Sequence, residues 1–140
     1  MKSKRIPRQR GHVMLESALT IVAFLSILIF VLDIGQVLFV HLSITERVRA
    51  SLRYGVTRTY DAASIRNVVL YGEPTAPAGS SPSFSLDPAQ VVVSRSNVDT
   101  PEDRIVVTVN TYSYEFFTPF LAGRRTAGPL SGSMTYEGVQ

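Results

Sequence analysis

The chain has 140 residues, 45% of them apolar and none of them cysteine, with a formal charge of +3. That length suits one small domain with appendages, and the missing cysteines exclude disulfides, thiolate metal sites and a lipidated cysteine. Five of the fourteen basic residues (Lys2, Lys4, Arg5, Arg8 and Arg10) precede every acid, so the remaining nine face eleven acids and no basic nucleic-acid surface is expected.

The chain begins with this basic leader, residues 1–11. Residues 17–32 then contain no charge, Gly or Pro, and the apolar character resumes after Asp33 and Gly35 as far as Val40. A membrane crossing takes ~20 residues at ~1.5 Å each, so one transmembrane helix is expected here. Short basic flanks stay cytoplasmic, which places the N-terminus inside and the rest of the chain outside the membrane. The apolar run is longer than that of a cleaved secretory signal and has no small-x-small site at its border. An uncleaved signal anchor is therefore one reading.

Gly11 and Glu16 support another. Cleavage between Gly11 and His12 would leave Glu16 as the fifth residue of the mature chain, at the mouth of the apolar helix. Glycine gives a peptidase an unobstructed backbone, and Pro7 keeps the leader from continuing the helix. A carboxylate near hydrocarbon is costly unless paired. Glu16 lies close to the new amine and the positive end of the helix dipole, or to the amine of a staggered neighbour; the plainer alternative is a place among lipid headgroups.

Helical spacing continues through Val37, Val40, Ile44, Val48 and Leu52, with Gly55 as the expected stop. A helix over 12–54 would run ~65 Å. Its outer apolar stripe must meet the chain's own domain or sister helices. Asp33 is expected near the outer interface, solvated or in polar contact with a neighbouring helix, and His41 is expected as an interfacial or partner-contacting side chain.

Residues 56–140 read as a small exported domain. Asp61 caps a short helix over Ala62–Tyr71, with Ile65, Val68 and Val69 on one face and Gly72 at its end. The Pro- and Ser-rich segment 73–88 reads as an exposed loop. Strands are expected at 90–96, at 104–116 and near 131–137. In the second, Ile105, Val107 and Val109 share one face, and Val106, Thr108, Asn110, Tyr112 and Tyr114 the other. The acids of 99–103 read as solvated charges in a turn. "FFTPFLAG" is the most apolar stretch outside the long helix; Phe116, Phe117, Phe120 and Leu121 either pack under the sheet or form a contact surface for a partner or the membrane. Arg124 and Arg125 beside it are a solvated turn or a docking pair. The expected fold class is thus α+β: a long N-terminal transmembrane helix extending into a domain with a short helix and a three-stranded antiparallel sheet. Nothing in the chain has the spacing of a nucleophile elbow, phosphate loop, metal site or cofactor site, so no enzyme activity is expected.

Three stretches, "RGHVMLESALTIVAFLSILIFVLDIGQVL", "LSITERVRASLRYG" and "VVTVNTYSYEFFTPFL…LSGSMTYEG", resemble the TadE-like pseudopilins of the tight-adherence (Flp) pilus system. The likeness covers both ends of the chain and leaves out the middle. His12 departs from the Phe common at the mature start of type IV pilins, and Ser17 from the aromatic frequent in tight-adherence proteins. The resemblance implies a minor pseudopilin of the bacterial inner membrane, processed after Gly11. Its implied partners are a prepilin peptidase, other pseudopilins and pilins, an inner-membrane assembly platform and membrane lipid. A minor pseudopilin of a type II secretion or type IV pilus machine, and an uncleaved signal-anchored accessory protein of a secretion complex, are the alternatives.

Overall fold

A computed structural model describes residues 9–118 and 123–136, with side chains from His12 onward. Phe120, Leu121, the basic leader through residue 8 and the end of the chain from 137 lie outside the described residues. One unbroken helix, α1 (Gln9–Val56), is succeeded by α2 (Ala62–Tyr71) and five strands: β1 (Val91–Ser96), β2 (Arg104–Val109), β3 (Tyr112–Phe116), β4 (Gly123–Ala127) and β5 (Leu130–Thr135).

At 48 residues, α1 is about 72 Å long. Its two halves have different surroundings. From His12 to Leu28 every side chain is exposed, whereas Ile44, Val48, Ser51 and Leu52 are buried. The outer apolar stripe thus meets the chain's own domain. The helix begins earlier and ends later than the spacing predicts. It starts at Gln9 rather than at His12, and it passes through Gly55 to Val56. Gly55 serves packing instead of termination: a Cβ there would stand 2.8 Å from Ile65 Cδ1 and 3.1 Å from Ile105 Cδ1. The missing side chain lets α1 approach α2 and the sheet together.

α2 obeys its sequence signals closely. The Asp61 carboxylate accepts from the amides of Ala63 and Ser64 at 3.0 and 3.3 Å, satisfying N–H groups that a helix start leaves open. Gly72 ends the helix at φ +84°, a left-handed conformation without penalty for glycine, and its amide returns to the Val68 carbonyl. Ile65, Val68 and Val69 are buried, as their spacing predicts, and Leu70 joins them.

The sheet has the order β1-β2-β5, antiparallel throughout, with Val107 opposite Val93 on one side and Gly132 on the other. Both helices cover one face of it. Ile105, Val107 and Val109 point into this layer at 0% exposure, with Val91, Leu86 and the helical residues completing one core. The expected strand over 104–116 is broken. Asn110 makes the last link, donating to the Gln90 carbonyl at 2.9 Å, and the chain then leaves the sheet to form a separate hairpin, β3-β4. The break resets the alternation, so Tyr112, expected on the opposite face from Ile105, is buried in the same core. Arg124 and Arg125 sit in β4 as exposed strand residues, not in a turn. The loop over 73–88 is mainly exposed, but a turn at Ser83–Ser85 brings Phe84 against the core and precedes the buried Leu86, and a 3₁₀ turn at Pro88–Gln90 leads into β1.

Candidate functional site

Two places on α1 carry the polar groups that sequence reasoning singles out. The first is the N-terminal end. Gln9–Val56 includes Gly11, so the Gly11–His12 bond falls in the first helical turn instead of in an extended segment. The opening N–H groups of a helix have no intrahelical partner, and glycine weakens that turn further. Local unwinding is least costly there. His12 and Glu16 are exposed. The Glu16 carbonyl accepts from the Thr20 hydroxyl at 2.9 Å, while its carboxylate forms no ion pair among the described residues. α1 is long and apolar enough to cross a membrane.

The second place is Asp33, which corrects the expectation of a solvated acid. It is 1% exposed, in a part of α1 whose other faces are open. Its carboxylate accepts from the Phe117 amide at 2.7 Å and from the Thr118 amide at 3.0 Å, and the Thr118 hydroxyl also donates to it. Two consecutive backbone N–H groups and a hydroxyl thus converge on one carboxylate, a favourable arrangement for an anion away from water. The partner is the chain's own hairpin, 84 residues later, and not a neighbouring helix.

A second tie lies eight residues further along α1. His41 Nδ1 is 2.7 Å from the Tyr112 hydroxyl, with ring centroids 6.1 Å apart. Burial, with Tyr114 adding repulsion to the ionised form, pushes the Tyr112 hydroxyl above its ordinary range, so it stays protonated. β3 is therefore pinned to α1 near its start by Tyr112 and just beyond its end by Thr118. Between them Tyr114 and Phe116 stack edge to face at 5.3 Å. Phe116 is half-buried, whereas Phe117 is 70% exposed. On the outer strand Arg124 lies 3.6 Å from Glu115, directly opposite it in the ladder.

The acids of 99–103 divide. Asp99 and Glu102 are exposed as expected, but Asp103 is only 5% exposed and receives Arg95 Nε at 2.9 and 3.0 Å as well as Arg95 Nη2. The hydrogen-bonded Arg95 holds the Asp103 carboxyl below the usual carboxylate range despite burial. Arg95 also lies 4.3 Å from the Tyr136 ring centroid and 5.9 Å from that of Tyr60. This cluster ties the β1-β2 turn to the segments that carry Tyr60 and Tyr136, and it offers no reacting group. No cluster of His, Asp or Glu suited to a metal is present among the described residues.

Sequence reasoning found Asp33 and Phe117 separately and missed Thr118, which joins them. One signal was available: an acid in an otherwise apolar helix must find donors. Which donors serve it depends on the fold. No family model, curated protein or solved structure matches this chain.

Proposed function

We propose that this chain is a minor pseudopilin of a tight-adherence type adhesive pilus. The observation that carries the reading is the continuity of α1: a basic leader, Gly11 and Glu16 open a helix that is exposed and apolar for its first half and becomes the spine of an α+β domain in its second. A retained helix of this kind serves both as a membrane anchor for the precursor and as a shaft that packs with like helices after extraction. In this reading the chain crosses the bacterial inner membrane once, with the leader in the cytoplasm and the domain outside.

A prepilin peptidase cuts between Gly11 and His12. Glu16 then lies about 6 Å along the helix axis from the new amine and favours charge pairing at that end, within one chain or between staggered chains. The assembly platform, other pseudopilins and pilins are its partners. The role is structural, with no chemical turnover.

The test is the intact mass of membrane-extracted protein, with and without the cognate prepilin peptidase, for the natural chain and for Gly11→Ala. A peptidase-dependent product starting at His12, lost in Gly11→Ala, supports the pseudopilin. A chain that keeps its leader in both strains leaves a signal-anchored accessory protein instead.

A further inference from the structure

Outside α1, Phe117 is the most exposed large apolar side chain among the described residues, at 70%. Its backbone is nevertheless fixed, because its amide and that of Thr118 hold Asp33 at 2.7 and 3.0 Å. The clasp sets the level of Phe117 along the helix. Asp33 lies 17 residues beyond Glu16, about 26 Å along the axis, against a hydrocarbon thickness of ~30 Å. Phe117 therefore stands level with the end of the uncharged apolar run. Ile34 and Leu38, on the adjoining turns, are 44% and 54% exposed and continue that apolar surface. Arg124 and Arg125, both exposed, stand in the returning strand opposite Glu115 and Tyr114, further from the hairpin end than Phe117, with Arg124 3.6 Å from Glu115.

We infer that the β3-β4 hairpin makes a second membrane contact at Phe117, with that ring seated in the outer-leaflet interface and Arg124 and Arg125 at the level of lipid phosphates. The inference rests on the reading of α1 as a membrane span. Three features select lipid as the occupant. The patch is continuous with the apolar surface of α1 and at the same height. An aromatic ring with exposed arginines further along the same hairpin suits the boundary between acyl chains and anionic headgroups. The Asp33 carboxylate at that depth already has three donors from its own chain, so it brings no unpaired charge into a water-poor layer. The domain would thus be held against the bilayer at a fixed height and orientation instead of swinging freely on its helix.

The absence of cysteine makes single-cysteine labelling unambiguous. The full chain would be labelled with bimane at Phe24→Cys, Val98→Cys or Phe117→Cys. It would be reconstituted in phosphatidylcholine–phosphatidylglycerol vesicles carrying nitroxides at shallow or deep acyl positions. Phe117 and Val98 are both exposed, so neither label displaces core packing. Expected is deep quenching at 24, and shallow quenching at 117 at least about twofold stronger than at 98. Adding Arg124→Glu and Arg125→Glu should weaken the quenching at 117, and no change there would overturn the placement of the arginines at the phosphates. Quenching at 24 with 117 no different from 98 overturns the second contact and leaves the span intact. No quenching at 24 removes the span and the contact together. A label at 117 shielded from both nitroxide and aqueous iodide marks a protein-covered surface and overturns the lipid assignment.

Discussion

The two halves of α1 are built from the same kinds of residue, yet only one is packed. Leu19 is 63% exposed and Leu52 is 3% exposed on a single unbroken helix. The difference does not lie in helix propensity or in side-chain hydrophobicity. It lies in the C-terminal part of the chain: α2 and the sheet fold back onto 44–55, and nothing among the described residues reaches 12–28. An apolar helix surface is thus a demand for cover, and among the described residues the chain's own domain meets it for one half only. Asp33 marks the boundary: among the described residues it is where the hairpin is tied to the helix by hydrogen bonds instead of apolar packing.

The sharpest way to break this comparison is truncation on either side of the boundary. Leu52→Ala should destabilise the domain by about 2–5 kcal/mol, through lost burial and the cavity left behind. Leu19→Ala should leave it within ~0.5 kcal/mol. Urea unfolding of the full chain in detergent, monitored by circular dichroism, measures both; equal effects would mean that the apolar half is packed after all.

Acid titration probes the far end of the domain. Asp103, held below its ordinary value of about 3.9 by Arg95, contributes stability that is fully present above that range and is lost as pH falls through the lower folded value. Stability should therefore decline below about pH 4 in the natural chain, and more gently in Asp103→Asn. Some slope should persist, because Asp61 is also lowered, by the Ser64 hydroxyl and the Ala63 amide. An unchanged slope in Asp103→Asn would remove the ion pair from the account of acid sensitivity.

At the boundary itself the expected effect is local. Asp33→Asn should speed hydrogen exchange at the Phe117 and Thr118 amides by roughly tenfold or more, while the β2 amides keep their protection. Uniform acceleration would show that the clasp supports the whole core and not only the hairpin end. The smallest effect is expected from Tyr112→Phe, which loses the hydroxyl contact to His41 but keeps the buried ring. A cost of about 0.5–1.5 kcal/mol in the same urea experiment is anticipated.

Legibility in the sequence tracks the range of the interactions. α2 is readable at both ends, because Asp61 and Gly72 act on backbone groups within four residues. The inward face of β2 is readable because alternation is a property of consecutive residues. The same alternation fails at Tyr112, since the Asn110 link to Gln90 and the departure of the chain at Thr111 depend on where β1 begins. Gly55 reads wrongly as a stop for a related reason: local rules recognise a helix terminator, but a close approach to Ile65 and Ile105 exists only once the layers are assembled. Asp103 looks like a surface charge in the sequence because its partner, Arg95, is fixed by a turn geometry that composition does not express.

By itself, the sequence determined the long apolar helix, the basic segment that precedes it, the position of Gly11 and Glu16 near its start, the capped short helix and the presence of a small antiparallel sheet. All of these rest on charge, periodicity and capping, which act between near neighbours. Tertiary structure alone decided which half of the helix is covered, that Asp33 is clasped by Phe117 and Thr118, and that the hairpin carrying Phe117 returns to the level where the apolar run ends. The clasp requires residues more than eighty positions apart to meet, and the cover of the helix requires contacts between separate elements, which only the packing of the two helices on the sheet brings together.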